Sequence, residues 1–274
     1  MDLSFIILNY KSKELAFECL ASIYKANFVF GEKELKYEII VVDNDSGDNI
    51  GEELATKYPE VIFIQNNRNV GMGAGNNVGI KRAKGNYIVI MNPDTVVFED
   101  TFIKLYQFME ENSEVGVVGP KQYNTDMTVQ NSCYRWYGLL TPLYRRTPLG
   151  RLKIAQKDLD RFLMKDFDHN STKEVDWLLG SFLFCRAKAL KEVGFFDERF
   201  FLYFEDTDLC RRFWQSGWKV VYYPEATIIH NHQRQSAKQR WYKFFLNKAS
   251  REHVISWLKY LKKWGLRKYE RNNK

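Results

Sequence analysis

Four short runs of β-branched and aliphatic residues, separated by helix-like segments, constrain the fold of this chain more than any other feature. The runs are residues 4–9, 37–42, 61–65 and 87–91. In the first connecting segment, near residues 12–27, Leu15, Cys19 and Ile23 recur at the four-residue spacing of one helix face. Two later connections are also predicted to be helices, near residues 50–58 and 73–83. Strands that alternate with helices predict an α/β fold, with a mostly parallel sheet and helices on its faces.

All four predicted strands end in polar side chains. These are Asn9, Asp43, Gln65 to Asn67, and Asn92 to Asp94. In an open α/β sheet, ligands bind outside the carboxyl ends of the strands. A polar turn is the better explanation of any single one of these ends, but four together, two of them with a carboxylate, favour a binding site.

The second half of the chain is less regular. The patterns predict helices near residues 101–112, 188–193 and 206–215, and strands near residues 115–119, 219–223 and 226–230. Residues 135–170 are basic and aromatic and include two prolines. We expect them to form a long excursion from the sheet, without assigned secondary structure.

Length, cysteine usage and hydropathy narrow the class of protein. The 274 residues, 45% of them hydrophobic, suffice for one large α/β domain or two small ones. The four cysteines show no CxxC spacing, which indicates reduced thiols in a cytoplasmic protein. No stretch approaches the ~20 apolar residues of a membrane span, and the apolar run at residues 5–8 is too short for a signal peptide.

Positive charge is concentrated near the C-terminus. Residues 238–274 hold twelve Lys or Arg and two Glu, whereas the net charge of the whole chain is only +7. The main domain is therefore slightly acidic, which argues against nucleic-acid binding. Residues 236–274 are predicted to form a basic amphipathic helical tail, with an apolar stripe inside 241–268. Such a helix either lies on an anionic membrane or packs on the domain, and the sequence leaves both open.

Two motifs near strand ends offer groups that bind phosphates or metals. Asp94, in the turn that follows the fourth strand, is a hard oxygen ligand of the kind that Mg²⁺ and Mn²⁺ prefer, although such turns are common without a metal. The glycine-rich stretch at residues 67–79 can bring backbone close to a phosphate at a helix N-terminus. It lacks the G-x-G-x-x-G fingerprint because residue 76 is Asn, which argues against a dinucleotide oxidoreductase. Close packing of a helix on the sheet explains its glycines equally well.

Two later motifs add a carboxylate pair and a histidine. Glu205 and Asp206 begin a predicted helix, where the macrodipole favours acidic residues whatever their function. They follow an aromatic segment, and a carboxylate that the helix N-terminus keeps ionised can deprotonate a hydroxyl group. His230 ends a predicted strand, with His232 on the same side of an extended chain. A single histidine is usually structural, but here it is a candidate metal ligand or phosphate contact.

Eight segments, in this order, resemble the family 2 glycosyltransferases, above all the bacterial rhamnosyltransferases of O-antigen and cell-wall polysaccharide synthesis. The segments are ILNYKS, VVDNDSGD, NNRNVGMGAGNNVGI, YIVIMNPDTVV, VGVVGP, VDWLLGSFLFCR, GFFDERFFLYFEDTDLCRR and YYPEATIIHNH. The resemblance implies a GT-A fold for residues 1–235, with a Rossmann-like, mostly parallel sheet. It implies a nucleotide-sugar-binding half (1–120) and an acceptor-binding, catalytic half (121–235).

The resemblance also implies the reaction. A divalent metal, Mg²⁺ or Mn²⁺, and a nucleotide-diphosphate sugar are expected, with transfer to an acceptor hydroxyl and inversion at the anomeric carbon. The subgroup favours dTDP-L-rhamnose as the donor and a lipid-linked saccharide as the acceptor. That acceptor favours peripheral attachment through residues 241–268 at the inner face of the cell membrane. A UDP-hexose or UDP-galactofuranose donor stays open, as does a non-catalytic module that binds nucleotide sugars.

On the donor side, the resemblance assigns roles to residues at the strand ends. The nucleotide and donor sugar are expected to contact Asn9, Asp43, Asn69, Asn76 and Asp94. Asp94 stands at the last acid of the Asp-x-Asp motif of the family, and Asn92 replaces the first acid, as is usual in the subgroup. Asp94 should therefore carry most of the metal binding, together with His230.

On the acceptor side, the resemblance points to two places in the second half. Asp206 matches the catalytic base, and Glu205 is its acidic neighbour. Trp177 and Gly180 fall where the donor sugar and the acceptor meet.

Overall fold

A mixed β-sheet organises the chain in the computed structural model, which describes residues 1–231 and 248–265. The strands are β1 (Leu3–Asn9), β2 (Val29–Phe30), β3 (Lys33–Glu34), β4 (Tyr37–Asp43), β5 (Ile62–Gln65), β6 (Tyr87–Met91), β7 (Thr95–Val97), β8 (Val115–Tyr123), β9 (Val129–Gln130), β10 (Cys133–Tyr134), β11 (Lys173–Glu174), β12 (Trp177–Leu178), β13 (Phe182–Arg186) and β14 (Lys219–His230). The helices are α1 (Lys13–Tyr24), α2 (Ile50–Lys57), α3 (Met72–Ile80), α4 (Thr101–Glu111), α5 (Thr141–Arg146), the 3₁₀ helix η1 (Pro148–Arg151), α6 (Lys153–Phe162), α7 (Ala187–Val193), α8 (Glu205–Gln215) and α9 (Lys248–Trp264). The main sheet has the order β11-β14-β8-β13-β6-β1-β4-β5, with β7 paired to β14 and β9 to β8.

The first four strands of the prediction form a parallel group, as expected. β1 pairs in parallel with both β4 and β6, and β4 pairs in parallel with β5. In this register Asn9 lies opposite Asp43. The carboxyl ends of these strands therefore meet at one end of the sheet, where their polar residues come together.

Both faces of the sheet are covered, so its central strand β1 is buried along its whole length. Phe5 faces a cluster that includes Phe102 of α4, and Ile6 faces the opposite cluster, which includes Ile80 of α3. Burial of each large apolar side chain contributes about 1.5–3 kcal/mol to folding. The four cysteines are buried free thiols, which agrees with the expectation of a reduced protein.

The second half extends the sheet in mixed orientation. β13 is antiparallel to both β6 and β8, and β14 is parallel to β8. The two strands predicted at 219–223 and 226–230 are one strand, β14, with an irregularity between Tyr223 and Thr227. The same strand pairs with β7, which follows the Asp94 turn.

Residues 135–170 differ from the expectation of an excursion without assigned secondary structure. They contain α5, η1 and α6, which pack on one another and are anchored by Ala155 and Phe162, both fully buried. α5 and η1 are short and contain prolines and a glycine, so their period is too brief to be read from the sequence.

The described part of the tail is α9, which packs on the domain. Lys263 bonds Asp197 at 2.7 Å and Asp208 at 2.6 Å, and the indole N–H of Trp264 donates to Asp208 at 2.8 Å. Tyr260 joins Phe204 in an aromatic cluster at a ring distance of 5.4 Å. The predicted stretch 241–268 extends beyond α9 on both sides, where residues 241–247 and 266–268 lie outside the described residues. Within the described parts of the chain, no helix has the length and apolar character to cross a bilayer.

Candidate active site

Asn9 and Asp43 form a buried hydrogen-bonded pair at the ends of β1 and β4. Asn9 Nδ2 donates to Asp43 Oδ1 at 2.7 Å and to Ser46 Oγ at 3.1 Å. Asp43 Oδ2 accepts from the backbone N–H of Ser46 at 2.9 Å and from Gln65 Nε2 at 2.8 Å. Burial alone would raise the pKa of Asp43, but these bonds favour the charged form and lower the pKa overall. An ionised, oriented carboxylate therefore stands where the nucleoside pocket is expected.

Asn44, the next residue, fixes the loop between β5 and α3. Its Nδ2 donates to Asn69 Oδ1 at 3.0 Å and to the carbonyl of Gly71 at 3.2 Å. Gly71 has a φ of +91°, and a Cβ there would lie 2.5 Å from the carbonyl oxygen of Phe201. Glycine is required at this point because a side chain would separate the loop from the segment that precedes α8. Asn69 is thus held in place through Asn44.

Helix α3 carries a buried amide oxygen that has no protein partner. Asn76 is 3% exposed, and its Nδ2 donates to the carbonyl of Met72 at 3.0 Å. Its Oδ1 has no hydrogen-bond partner among the described residues. Gly73 brings the same helix against α8, since a Cβ there would lie 3.5 Å from the Cβ of Glu205. A buried polar atom left unsatisfied costs about 1–3 kcal/mol, so Asn76 is suited to bond a ligand.

Asp94 and His230 face each other where β7 meets β14. His230 Nε2 lies 3.3 Å from Asp94 Oδ1, and His230 Nδ1 lies 2.6 Å from Gln130 Oε1. The amide of Gln130 is oriented because its Nε2 donates to Asn124 Oδ1 at 2.8 Å. Since Gln130 Oε1 is an acceptor, Nδ1 of His230 carries the proton. Nε2 is then the ring nitrogen that faces the Asp94 carboxylate.

A divalent cation fits this pair of side chains. A carboxylate oxygen and an imidazole nitrogen both donate lone pairs, so a cation or a shared proton stabilises their approach. Mg²⁺ and Mn²⁺ accept such ligands and usually complete their coordination with phosphate oxygens and water. No cluster of three or more His, Cys, Asp or Glu side chains that could hold a metal occurs in residues 1–231 or 248–265. The arrangement fits a cation that is shared with a bound diphosphate.

A turn with two left-handed residues places Asp206 in the first turn of α8. Tyr203 and Phe204 have φ values of +68° and +67°, which cost a non-glycine residue about 1–3 kcal/mol each. Asp206 Oδ2 accepts from the N–H of Gly180 at 2.9 Å, and Oδ1 accepts from the N–H of Thr207 at 2.7 Å. A Cβ at position 180 would lie 3.2 Å from the Cβ of Asp206, so glycine leaves room for this carboxylate.

The surroundings of Glu205 and Asp206 act differently on the pKa values of the two carboxyl groups. Burial and the charge of Asp206 raise the pKa of Glu205 well above its usual value. Burial also raises the pKa of Asp206, although the N–H groups of Gly180 and Thr207 oppose this effect. A proton therefore resides mainly on Glu205, and Asp206 is the better placed to accept one. The sequence suggested that the helix start secures the ionisation of Asp206, whereas in the structure burial raises its pKa and the hydrogen bonds oppose that rise only in part.

Backbone groups of two consecutive residues, Gly180 and Ser181, link the segment before Asp94 to Asp206. The N–H of Asn92, two residues before Asp94, donates to the carbonyl of Ser181 at 2.8 Å. The preceding residue, Gly180, donates to Asp206. Asp94 and Asp206, far apart in the sequence, therefore border the same short segment between β12 and β13.

Aromatic rings form a wall next to Asp206. Trp177 is 3% exposed, stacks on Tyr134 at a ring distance of 4.3 Å, and lies 5.6 Å from Tyr137. Tyr137 in turn lies 4.7 Å from the ring of Phe204. Burial raises the pKa of Tyr137 to about 12, and the opposite charges of Arg145 and Asp206 act on it as well. Trp177, expected beside the sugar, is almost fully buried and packs against the other rings of the wall.

Sequence reasoning missed two residues that orient the site. Asn44 and Gln130 each hold an expected site residue, Asn69 and His230, through a side-chain hydrogen bond. Asn44 directly follows Asp43 in the polar strand end, which is a usable signal. Gln130 has none, because it lies 100 positions from its partner. His232 lies outside the described residues.

Comparisons with known protein sequences agree on one family. A model of the family described as "Glycosyltransferase like family 2" matches residues 2–245. An N-acetylglucosaminyl-diphospho-decaprenol L-rhamnosyltransferase of Mycobacterium tuberculosis is 27% identical over 217 residues, which cover 72% of this chain and 67% of that protein. The rhamnosyltransferase WbbL of Escherichia coli K12 is 25% identical over 236 residues, which cover 82% of each chain.

Solved structures share the fold. S. aureus TarS 1–349 in complex with UDP superposes with a TM-score of 0.55 at 20% identity, covering 84% of this chain and 60% of TarS 1–349. The mannosyltransferase PcManGT of Pyrobaculum calidifontis, in complex with GDP-Man and Mn²⁺, gives a TM-score of 0.57 at 17% identity, covering 96% of this chain and 71% of that protein. The chain thus spans about three-fifths of the TarS fragment. At these identities the likeness shows the GT-A fold, as the resemblance implied.

Proposed function

The chain belongs to glycosyltransferase family 2, and we propose that it is an inverting, metal-dependent enzyme that transfers a sugar from a nucleotide diphosphate to a lipid-linked saccharide. The observation that carries this proposal is that Asn92, two residues before Asp94, bonds Ser181, while the adjacent Gly180 bonds Asp206. Metal-binding groups and a buried carboxylate beside one short segment suit a reaction at a single carbon atom.

Asp43 and Asn9 would hold the nucleoside, and Asn69 and Asn76 would contact the nucleotide and the donor sugar. The ionised Asp43 carboxylate suits hydrogen bonding to the N–H groups of a base. The unsatisfied Oδ1 of Asn76 can accept a bond from a sugar hydroxyl group.

Asp94 and His230 would hold Mg²⁺ or Mn²⁺. A divalent cation bound there offsets the negative charge that develops on the diphosphate as the sugar C1–O bond breaks. Gln130 keeps the Nε2 of His230 directed at this position. Support for a divalent metal comes from PcManGT, whose structure holds Mn²⁺.

Asp206 would act as the general base. Its carboxylate accepts the proton of the acceptor hydroxyl as the oxygen attacks C1 from the face opposite the leaving diphosphate, and the configuration inverts. General base catalysis of this kind contributes about 10²–10⁴-fold to the rate. Glu205, which holds its proton to a higher pH, would support Asp206 without taking the substrate proton.

The donor that fits the subgroup is dTDP-L-rhamnose, because both curated relatives named above are rhamnosyltransferases. A UDP-hexose or UDP-galactofuranose is the second candidate, since TarS was solved in complex with UDP. The acceptor is proposed to be lipid-linked, as the name of the mycobacterial relative indicates for that protein. Such an acceptor would bring the enzyme to the inner face of the cell membrane, with residues 241–268 as a contact.

A donor screen tests this proposal. Thermal shifts with UDP, dTDP and GDP, each with Mn²⁺ or Mg²⁺, identify the nucleoside, and hydrolysis of the matching sugar nucleotides identifies the sugar. We expect the largest shift with dTDP and metal, and slow hydrolysis of dTDP-rhamnose. A larger shift with UDP would move the assignment to the second candidate. Binding without hydrolysis or transfer, with a full range of acceptors, would favour a non-catalytic module.

A further inference from the structure

Large apolar side chains are exposed on one segment of the surface, within residues 139–154. The segment carries Leu139, Leu140, Leu143, Leu149, Leu152 and Ile154, named here the leucine ridge, with exposures from 38% to 73%. These six are part of a set of fourteen exposed large apolar residues in the described parts of the chain. Single exposed leucines are common on soluble proteins, but six within sixteen residues form a concentration that calls for a partner.

The ridge is the outer face of a well-anchored segment. Thr141 and Ala155 are fully buried under it, and the Thr141 hydroxyl group bonds the Asp158 carboxylate. A Cβ at Gly150 would clash with the carbonyl oxygen of Tyr144, so the chain folds back tightly here. The exposed leucines are therefore held outwards by packing underneath, and are not core residues of a loosely packed loop.

Charge identifies the kind of partner. Residues 139–157 contain five Lys or Arg and no Asp or Glu. Apolar side chains interspersed with cations alone are typical of segments that enter the headgroup region of an anionic bilayer. A second copy of this chain is a poor partner, because a symmetric contact would bring the same cations together.

Helix α9 continues the same type of surface. Its exposed residues Arg251, Ile255, Leu258 and Lys262 follow one helix face, with two apolar side chains between two cations. The ring of Tyr203 joins the two segments, because it lies 5.0 Å from the ring of His253 in α9 and 5.8 Å from the guanidinium of Arg146 in α5. Tyr203 and Phe204 lead directly into Asp206, so both segments contact the turn that precedes Asp206.

We propose that the leucine ridge and the outer face of α9 together form a docking surface for an anionic lipid bilayer, with Asp206 near the bilayer surface. The leucine ridge is a bilayer contact outside the C-terminal tail, and in this proposal it is the principal contact. Its benefit for catalysis, access to an acceptor carried on a lipid, rests on the proposed function, but the docking itself does not.

Vesicle flotation of the full chain tests this docking. We expect binding to phosphatidylcholine vesicles that contain phosphatidylglycerol, and little binding to phosphatidylcholine alone. The double variant Leu152→Ser/Ile154→Ser should bind the anionic vesicles about tenfold more weakly. The variant Arg151→Gln/Lys153→Gln should bind more weakly and with a smaller dependence on salt. The matched control is Val29→Ser/Met127→Ser, which alters two residues of 52% exposure elsewhere and should bind normally.

Three results would overturn the proposal. The first is that the full chain fails to bind anionic vesicles. The second is that the Leu152→Ser/Ile154→Ser variant binds them as the unaltered chain does. The third is that this variant changes the oligomeric state in analytical ultracentrifugation, which would make the ridge a protein interface. Nucleotide-induced thermal shifts of each variant verify that it is folded. Vesicle binding without sugar transfer would leave the docking intact and count only against the proposed function.

Discussion

At the scale of single residues, substitutions of the adjacent side chains Glu205 and Asp206 are expected to have different effects on turnover. Asp206→Asn should lower turnover by about 10²–10⁴-fold, because the proton acceptor is lost while the donor pocket is untouched. Glu205→Gln should keep most of the turnover, since glutamine mimics the protonated form that burial favours for Glu205. Steady-state transfer rates and nucleotide affinity measure both effects. Near-normal turnover of Asp206→Asn would remove Asp206 from the role of base.

Gln130 is expected to act on the metal only through His230. Gln130→Leu removes the acceptor that holds the proton on Nδ1, so Mn²⁺ affinity in the presence of the nucleoside diphosphate should fall about tenfold. Gln130→Glu keeps an acceptor and should retain the affinity. Gln107→Leu, on the exposed face of α4, is the matched control. Equal loss of affinity in Gln130→Leu and Gln130→Glu would indicate a packing role alone.

The sequence predicted residues of the site wherever strand ends revealed them. Asn9, Asp43 and Asp94 follow apolar runs, and the topology of parallel strands brings such ends together. The turn at Tyr203 and Phe204 could not be read in this way, because its left-handed conformation carries no glycine as a signal. Its geometry is imposed by contacts with distant elements, among them the approach of Gly71 to Phe201.

At the scale of elements, Lys263 and its neighbour Lys262 provide a matched test of how α9 is held. Lys263 bonds Asp197 and the fully buried Asp208, whereas Lys262 is exposed. Lys263→Met should lower the free energy of unfolding by about 2 kcal/mol, because Asp208 would keep only part of its compensating charge. Lys262→Met should be nearly neutral. Urea unfolding measures both, and equal effects would contradict the docking of α9 through this lysine.

His253 should make the stability of this region dependent on pH. Burial, together with the charges of Arg145 and Arg146, lowers the pKa of His253 to about 3. The unfolded chain therefore binds this proton at a higher pH than the folded one, and stability falls as the pH drops from about 6.5 towards 3. His253→Gln should remove about 1 kcal/mol per pH unit of this slope. Unfolding curves between pH 6.5 and 5 measure it, and parallel slopes would contradict the assignment.

Three helices with a long, regular apolar period were predicted well. α1, α4 and α8 lie within a few residues of their predicted bounds, because their apolar faces repeat over three turns. α5 and η1 are too short for a periodic face, so residues 135–170 gave no helix in advance. The leucine ridge lay unrecognised in the same stretch, since exposure of its leucines depends on which neighbours are buried.

At the scale of the whole molecule, the sheet separates two tasks. The parallel strands β1 and β4 carry the pair expected to bind the nucleoside, and the mixed extension through β13 and β14 brings in Gly180 and His230. The alternation of strands and helices predicted the first part. The second part followed only from resemblance to a family, because its strand pairings connect segments about 100 positions apart, such as β14 with β8.

The boundary predicted at residue 235 separates the tail from the domain. The contacts of α9 indicate that the tail stabilises the domain around Asp206. Tyr260 covers Phe204, and Lys263 and Trp264 bond Asp208 one turn or less from Asp206. A chain that ends at residue 235 would expose this aromatic cluster and leave the buried Asp208 with Arg212 as its remaining ion-pair partner.

We expect that shortened chain to melt at a lower temperature and to lose most of its turnover, while it keeps nucleotide affinity through Asn9 and Asp43. The reason is that Asn9 and Asp43 are fixed within the parallel strands, whereas the position of Asp206 depends on Phe204 and α8. Differential scanning fluorimetry with and without nucleotide, and transfer rates per folded molecule, measure the three quantities separately. Turnover equal to that of the full chain would mean that residues 236–274 are an independent appendage. Failure to fold at all would instead place α9 within the core of the domain.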